Sequence, residues 1–208
     1  MTETRYLIPA GAHRVEHEIE RSRFITTLAR AATLEDARAF IAKVRDEFPD
    51  ATHNCWAYVV GPPGSTACIG MSDDGEPHGT AGRPMLNAML HGRVGDVVAV
   101  VTRYFGGTLL GKGGLVRAYT GGVVDALATL PTTERIRKAR VAVEIEYPRV
   151  DTVRRMLPTF DAVILSEDFS ATVGYRVELP CAKVDALRRA LLDATAGDLV
   201  FDALDEDP

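Results

Sequence analysis

Cysteine is scarce and unpaired. Cys55, Cys68 and Cys181 are odd in number and form no CxxC motif, which excludes a disulfide framework and a CxxC metal or redox centre and fits a reducing cytosol. Long apolar runs are missing too: the longest, Cys55–Val60 and Val97–Val101, fall far short of the roughly 20 residues that span a membrane. Met1–Ala10 lacks a basic start followed by an apolar block, so no secretory leader is expected. Nor is there an excess of positive charge. The net charge is −5, close to balance over the first 131 residues and acidic beyond them, which argues against a generic polyanion binder. No fixed-period repeat or low-complexity tract is visible. The chain is 208 residues long, 46% hydrophobic and 25% charged, enough for one large or two small globular domains.

Glycine is abundant where it matters. Gly70, Gly75, Gly79 and Gly82 precede a strand-like VGDVVAVVTRYFGG, and Gly106, Gly107, Gly111, Gly113 and Gly114 follow it. They alternate with Asp73, Asp74, Glu76, His78, Arg83, Arg103, Lys112 and Arg117, unlike a flexible linker. Glycine is needed where the backbone takes positive φ or approaches another group closely, so two shaped loops are expected to face a ligand, a partner or each other. The stretch Ser72–Tyr119 carries one more cation than carboxylate, leaving room for a local basic surface.

Along the chain, His13–Ile19 and Arg23–Leu28 read as a hairpin. Thr33 with Asp36 caps a helix that Pro49 stops. Thr52–Val60 is a strand with His53 and Cys55 on one face and Asn54, Trp56 and Tyr58 on the other. Thr66–Met71 returns, and Pro84 opens a short helix ending near Gly92. Val97–Tyr104 reads as a central strand covered on both sides. Leu115–Leu130 is a helix in which Gly121 and Gly122 each cost about 1 kcal/mol against alanine unless another element packs close. After Thr132–Lys138, a polar linker between domains 1–131 and 139–204, the order is strand, helix, strand, strand, helix, strand. That βαββαβ order is the ferredoxin-like pattern. Asp205–Pro208 reads as an acidic tail.

Several groups could carry chemistry. Gly106–Lys112 is G-x-x-x-x-G-K between a strand and a helix, the place of a phosphate loop, but Gly113 stands where a Walker motif needs Ser or Thr. Anion binding by Lys112 and backbone amides, or a structural glycine turn, remain. Asp73, Asp74, Glu76 and His78 could supply acid–base groups or hold a divalent ion, although their spacing fits no EF-hand or zinc template and DG and EPHG are ordinary turn chemistry. His53 could deprotonate Cys55, against the commoner role of a lone cysteine as a small buried hydrophobe. Arg103, Tyr104, Phe105, Arg117 and Tyr119 interleave cations with aromatics, as RNA-contacting surfaces do; an internal salt bridge from Asp73 or Glu76 to one of these arginines explains them equally well.

SDDGEPHGTAGRPML followed by VVTRYFGGTLLGKGGLVRAY, preceded by ERSRFI and ATHNCWAY, closely resembles the IMPACT family, whose bacterial members are the YigZ-type proteins. The motifs cover residues 14–130. The resemblance implies an α+β protein of two domains: an N-terminal α/β domain with a left-handed βαβ crossover, like a small-subunit ribosomal protein and domain IV of elongation factor G, and a C-terminal ferredoxin-like domain like the last domain of that factor. Eukaryotic relatives regulate translation by interfering with activation of an initiation-factor kinase, and carry an additional RWD domain that is not expected here, because the family-like sequence begins by about Arg14. The resulting expectation is a non-catalytic, cytoplasmic, translation-linked binding protein. Its partner would be RNA, the ribosome or a protein of translation control, with no cofactor, metal or membrane. The ligand surface would comprise Asp73, Asp74, Glu76, His78, Thr80, Arg103, Tyr104, Gly107, Lys112, Gly113 and Arg117. A small enzyme acting on a phosphorylated or acyl substrate at the Lys112 loop, with Asp74, Glu76 or His78 as acid or base, is the alternative.

Overall fold

The computed structural model describes residues 5–206, which divide into two units, one from Tyr6 to Arg135 and one from Ile136 onward. The apolar run predicted as a central strand, β6 (Val97–Tyr104), is buried at every position but its last. It lies in the middle of a five-stranded sheet of order β2-β3-β6-β4-β5, with β2 His13–Ile19, β3 Ser22–Arg30, β4 His53–Val60 and β5 Cys68–Ser72. Antiparallel ladders join β6 to β3 and to β4, so β3 and β4 run parallel with β6 between them. Their crossover contains α1 (Leu34–Glu47), opened by the expected capping box of Thr33 and Asp36. Helices α2 (Gly82–Leu90) and α3 (Gly111–Thr129) cover the other face.

The pleat of β4 explains this division. Cys55, Ala57 and Val59 join the core beneath α2 and α3, while Trp56 and Tyr58 pack towards α1. Adjacent residues of a strand point to opposite faces, so both faces of β4 and β6 are apolar. The structure departs from the sequence reading in two places. Strands β1 (Arg5–Pro9) and β7 (Thr132–Ile136) form a two-stranded sheet, so most of the expected polar linker is a strand. Asp96, fully buried with φ of 46°, anchors this region by accepting hydrogen bonds from Tyr6 Oη at 3.0 Å, the Gly61 amide at 2.8 Å and Arg135. Helix α3 also starts one turn earlier than its apolar pattern indicates.

The second unit contains β8 (Lys138–Ile145), α4 (Val150–Met156), β9 (Val163–Phe169), β10 (Val173–Pro180), α5 (Val184–Thr195) and β11 (Val200–Glu206). Its antiparallel sheet has the order β11-β8-β10-β9, as the ferredoxin-like reading requires. Val141, Val143 and Ile145 of β8 alternate inward with Val173, Tyr175, Val177 and Leu179 of β10, against Val153, Leu187 and Leu191 of the helices. Strand β11 extends through Asp205 and Glu206, paired to β8; the rest of the predicted tail lies outside the described residues.

Candidate functional site

Four segments converge around the ends of β4, β5 and β6 and the start of α3. Gly75, Glu76 and Pro77 from the acidic loop, Thr52 and His53 at the start of β4, Arg103 and Phe105 at the end of β6, and Leu109–Lys112 with Leu115 line one cavity of about 430 Å³. The acidic and cationic loops therefore meet. Of the predicted residues, Glu76, Arg103 and Lys112 share the cavity, whereas Arg117 lines an adjoining hollow with Leu109 and Leu110.

The carboxylates are largely taken by the fold. Glu76, with 3% of its side chain exposed, accepts hydrogen bonds on one oxygen from Arg103 Nη1 at 2.6 Å and Tyr119 Oη at 2.7 Å. Arg103 is 6% exposed, lies over the Phe24 and Phe105 rings, and donates from Nη2 to Ser22 Oγ at 3.3 Å. Among the described residues its Nε–H has no hydrogen-bond partner. This is the internal salt bridge that the sequence allowed as one of two readings. A buried pair of this kind is costly to break, because removal of one partner leaves an uncompensated charge.

Asp73 forms the N-terminal support of α2. Its carboxylate accepts from the amides of Gly79, Ala81 and Gly82 at 2.8, 3.0 and 2.9 Å. Partial burial works to raise its pKa, but these amides and nearby His78 together hold it below the usual carboxylate range. Asp74, at φ of 44°, pairs with Arg45 and accepts from the Asn54 amide at 2.6 Å. Its carbonyl meets His53 Nδ1 at 2.8 Å; a carbonyl only accepts, so that nitrogen is the donor. His78 is fully exposed and 3.7 Å from Asp73. Thr80 is buried and donates to the Pro77 carbonyl at 2.6 Å, and Tyr104 donates to Asp50 at 2.8 Å.

Cys55 is not paired with His53 as an activated thiol would be. Burial pushes its thiol up to about 12, with the neighbouring carboxylates adding to the shift against a hydrogen bond with Tyr119. Its Sγ donates to the Asp73 carbonyl at 2.9 Å rather than to His53. Burial likewise raises the Tyr119 pKa, helped by Cys55 and Glu76. Among the described residues, no group of three or more His, Cys, Asp or Glu side chains is placed to hold a metal ion.

The opposite side of the cavity is exposed. Helix α3 begins at Gly111 with no side chain capping it, so its first amides and its positive dipole end lie beside exposed Lys112. Gly107 and Gly111, at φ of 83° and 67°, turn the chain into that helix; Gly113 lies in its first turn. Phe105 is 46% and Leu109 88% exposed. The sequence reading missed Arg21. The two-residue β2–β3 turn, Glu20-Arg21, has both residues at positive φ, where glycine or asparagine ordinarily sit, and Arg21 donates to Thr108 at 2.9 Å. That turn fits against the cationic loop only because residue 106 is glycine: a Cβ there would lie 2.0 Å from the Arg21 carbonyl carbon. Contact across such a separation leaves no local signal.

Fold and site together define an α+β protein of two units whose larger unit presents one cavity between an acidic and a cationic loop. Comparison with known proteins agrees. The Impact N-terminal domain model matches residues 20–127, and a domain of unknown function, DUF1949, matches residues 143–198. The chain is 45% identical over 201 residues to IMPACT family member YigZ of Escherichia coli, covering 97% of this chain and 98% of that one. It is 36% identical over 188 residues to IMPACT family member YvyE of Bacillus subtilis, covering 90% and 85%. A solved crystal structure of a hypothetical protein, 44% identical, superposes with a TM-score of 0.74 over 97% of this chain and 98% of that chain. The chain belongs to the IMPACT family.

Proposed function

We propose that this protein, in a family linked to translation regulation, is a non-catalytic cytoplasmic binding protein that holds single-stranded RNA, free or on the ribosome, at the mouth of the 430 Å³ cavity. The observation that carries this reading is the sharing of one cavity by Lys112, the uncapped start of α3 and exposed Phe105. A helix N-terminus with an adjacent ammonium suits a phosphate, and an exposed ring suits a base. Arg117 lines the adjoining hollow together with Glu20, and Arg21 donates to Thr108 of the same loop. Catalysis finds little support, because Asp74 and Glu76 are committed to internal partners and the Cys55 thiol stays protonated at neutral pH.

Fluorescence anisotropy of a labelled single-stranded RNA across a salt series tests this. Affinity should fall with salt, and Lys112→Ala with Arg117→Ala should lower the slope of log K against log salt by about 2, near one per removed cation. Phe105→Ala should cost about 1–3 kcal/mol of binding. An equally folded double variant with unchanged RNA and ribosome affinity would refute the assignment. Saturable stabilisation by a small phosphorylated or acyl compound, without RNA affinity, would favour the enzymatic alternative.

A further inference from the structure

A second and larger hollow, of about 880 Å³, lies along α2 and α3 and shares no lining residue with the cavity above. Its α3 wall is Val116, Thr120, Val124 and Leu127, successive turns of one helical face. Val116 and Val124 are 37% and 48% exposed, an apolar row left open along a groove between two packed helices. Its α2 wall contributes Pro84, Asn87 and Ala88.

The charges on this groove are all of one sign. Arg83, His91 and Arg93 line it and no Asp or Glu does. Neither arginine has a hydrogen-bond or ion-pair partner among the described residues, and both are exposed. An aliphatic floor with unpaired cations at its rim is complementary to an amphipathic segment with an apolar stripe and acidic flanks. The shape favours a helix. From Val116 to Ala128 the wall runs 13 residues, about 18 Å at 1.5 Å per residue step, and a third helix packs into the groove of two others by ridges into grooves. No Phe, Tyr or Trp lines the groove, so the exposed ring that suits a base at the other cavity has no counterpart here.

We propose that the α2–α3 groove docks an acidic amphipathic helix of a partner protein, separately from the RNA reading above. The test uses two stapled, fluorescein-labelled helices of about 12 residues with the same leucine stripe, one flanked by glutamates and one by lysines, titrated with the full chain. The acidic helix should bind, more weakly as salt rises, and at least tenfold tighter than the basic one. Arg83→Glu with Arg93→Glu should reverse that preference, and Val124→Asp should abolish binding of both, while Lys112→Ala with Arg117→Ala changes nothing. Each variant is kept only if its thermal unfolding matches the parent. Equal binding of the two helices, or binding of neither below about 1 mM, overturns the proposal. So does self-association that Val124→Asp removes without any peptide binding, since the groove would then belong to a second copy.

Discussion

Asp73 is a half-buried turn residue that gains three amide donors on folding, and its charge is the group most directly tied to the acidic loop's shape. Replacing it with alanine removes the support of the α2 N-terminus and should cost about 1–2 kcal/mol at neutral pH, read from urea unfolding. Its pH dependence has a defined sign. Because the native pKa lies below the unfolded value, near 3.9 for an ordinary aspartate, the stabilisation is complete above about pH 4 and is lost as pH falls through the native pKa. The parent should therefore lose more stability than Asp73→Ala on acidification below about pH 4. Parallel stability curves over that range would show that the carboxylate is not the group responsible. Glu76 and Arg103 make the complementary point, since both readings of their charges were open in the sequence. Only the fold, by burying the two side chains to 3% and 6% exposure, selects the internal pair.

At the scale of elements, α3 has two adjacent glycines with opposite roles. A Cβ on Gly122 would meet Thr26 Oγ1 at 2.6 Å, on a stiff β-branched side chain within β3, whereas a Cβ on Gly121 would meet nothing within 4 Å. Gly121→Ala should raise stability by up to about 1 kcal/mol through helix propensity. Gly122→Ala should lower it by up to about 2 kcal/mol, because overpacking of about 1–3 kcal/mol is set against the same propensity gain. Thermal unfolding of the two variants checks this, and a shared sign would mean that the close contact with β3 does not hold in solution. Only Gly122 has the close neighbour that the sequence reading required of both. The same distinction explains what was legible. The capping box of Thr33 and Asp36 and the alternation along β4 are short-range patterns, so they could be read directly. Strands β1 and β7 could not, since they pair across more than a hundred residues and β7 is mostly exposed and polar. Glycine at the start of α3 reads as loop, although Gly111–Gly114 is helical in place.

Across the whole molecule, the apolar residues separate into cores that do not mix. Those built on the five-stranded sheet draw only on the Tyr6–Arg135 unit, and the ferredoxin-like core only on residues beyond it. Each unit can then unfold as its own cooperative transition, since multi-domain chains commonly depart from a single two-state step. The sole tryptophan makes this testable: Trp56 lies on β4, stacked on Tyr58 at 5.9 Å, so its fluorescence reports the first unit. Far-ultraviolet circular dichroism reports both. Leu187 is fully buried in the second core, and Leu187→Ala should destabilise that unit by about 2–5 kcal/mol. The variant should shift part of the dichroism transition to lower urea while the Trp56 midpoint stays where it is in the parent. A Trp56 midpoint that moves together with the dichroism would mean that the two cores unfold as one, and that a ligand at the first unit's cavity stabilises the entire chain by mass action rather than its own unit alone.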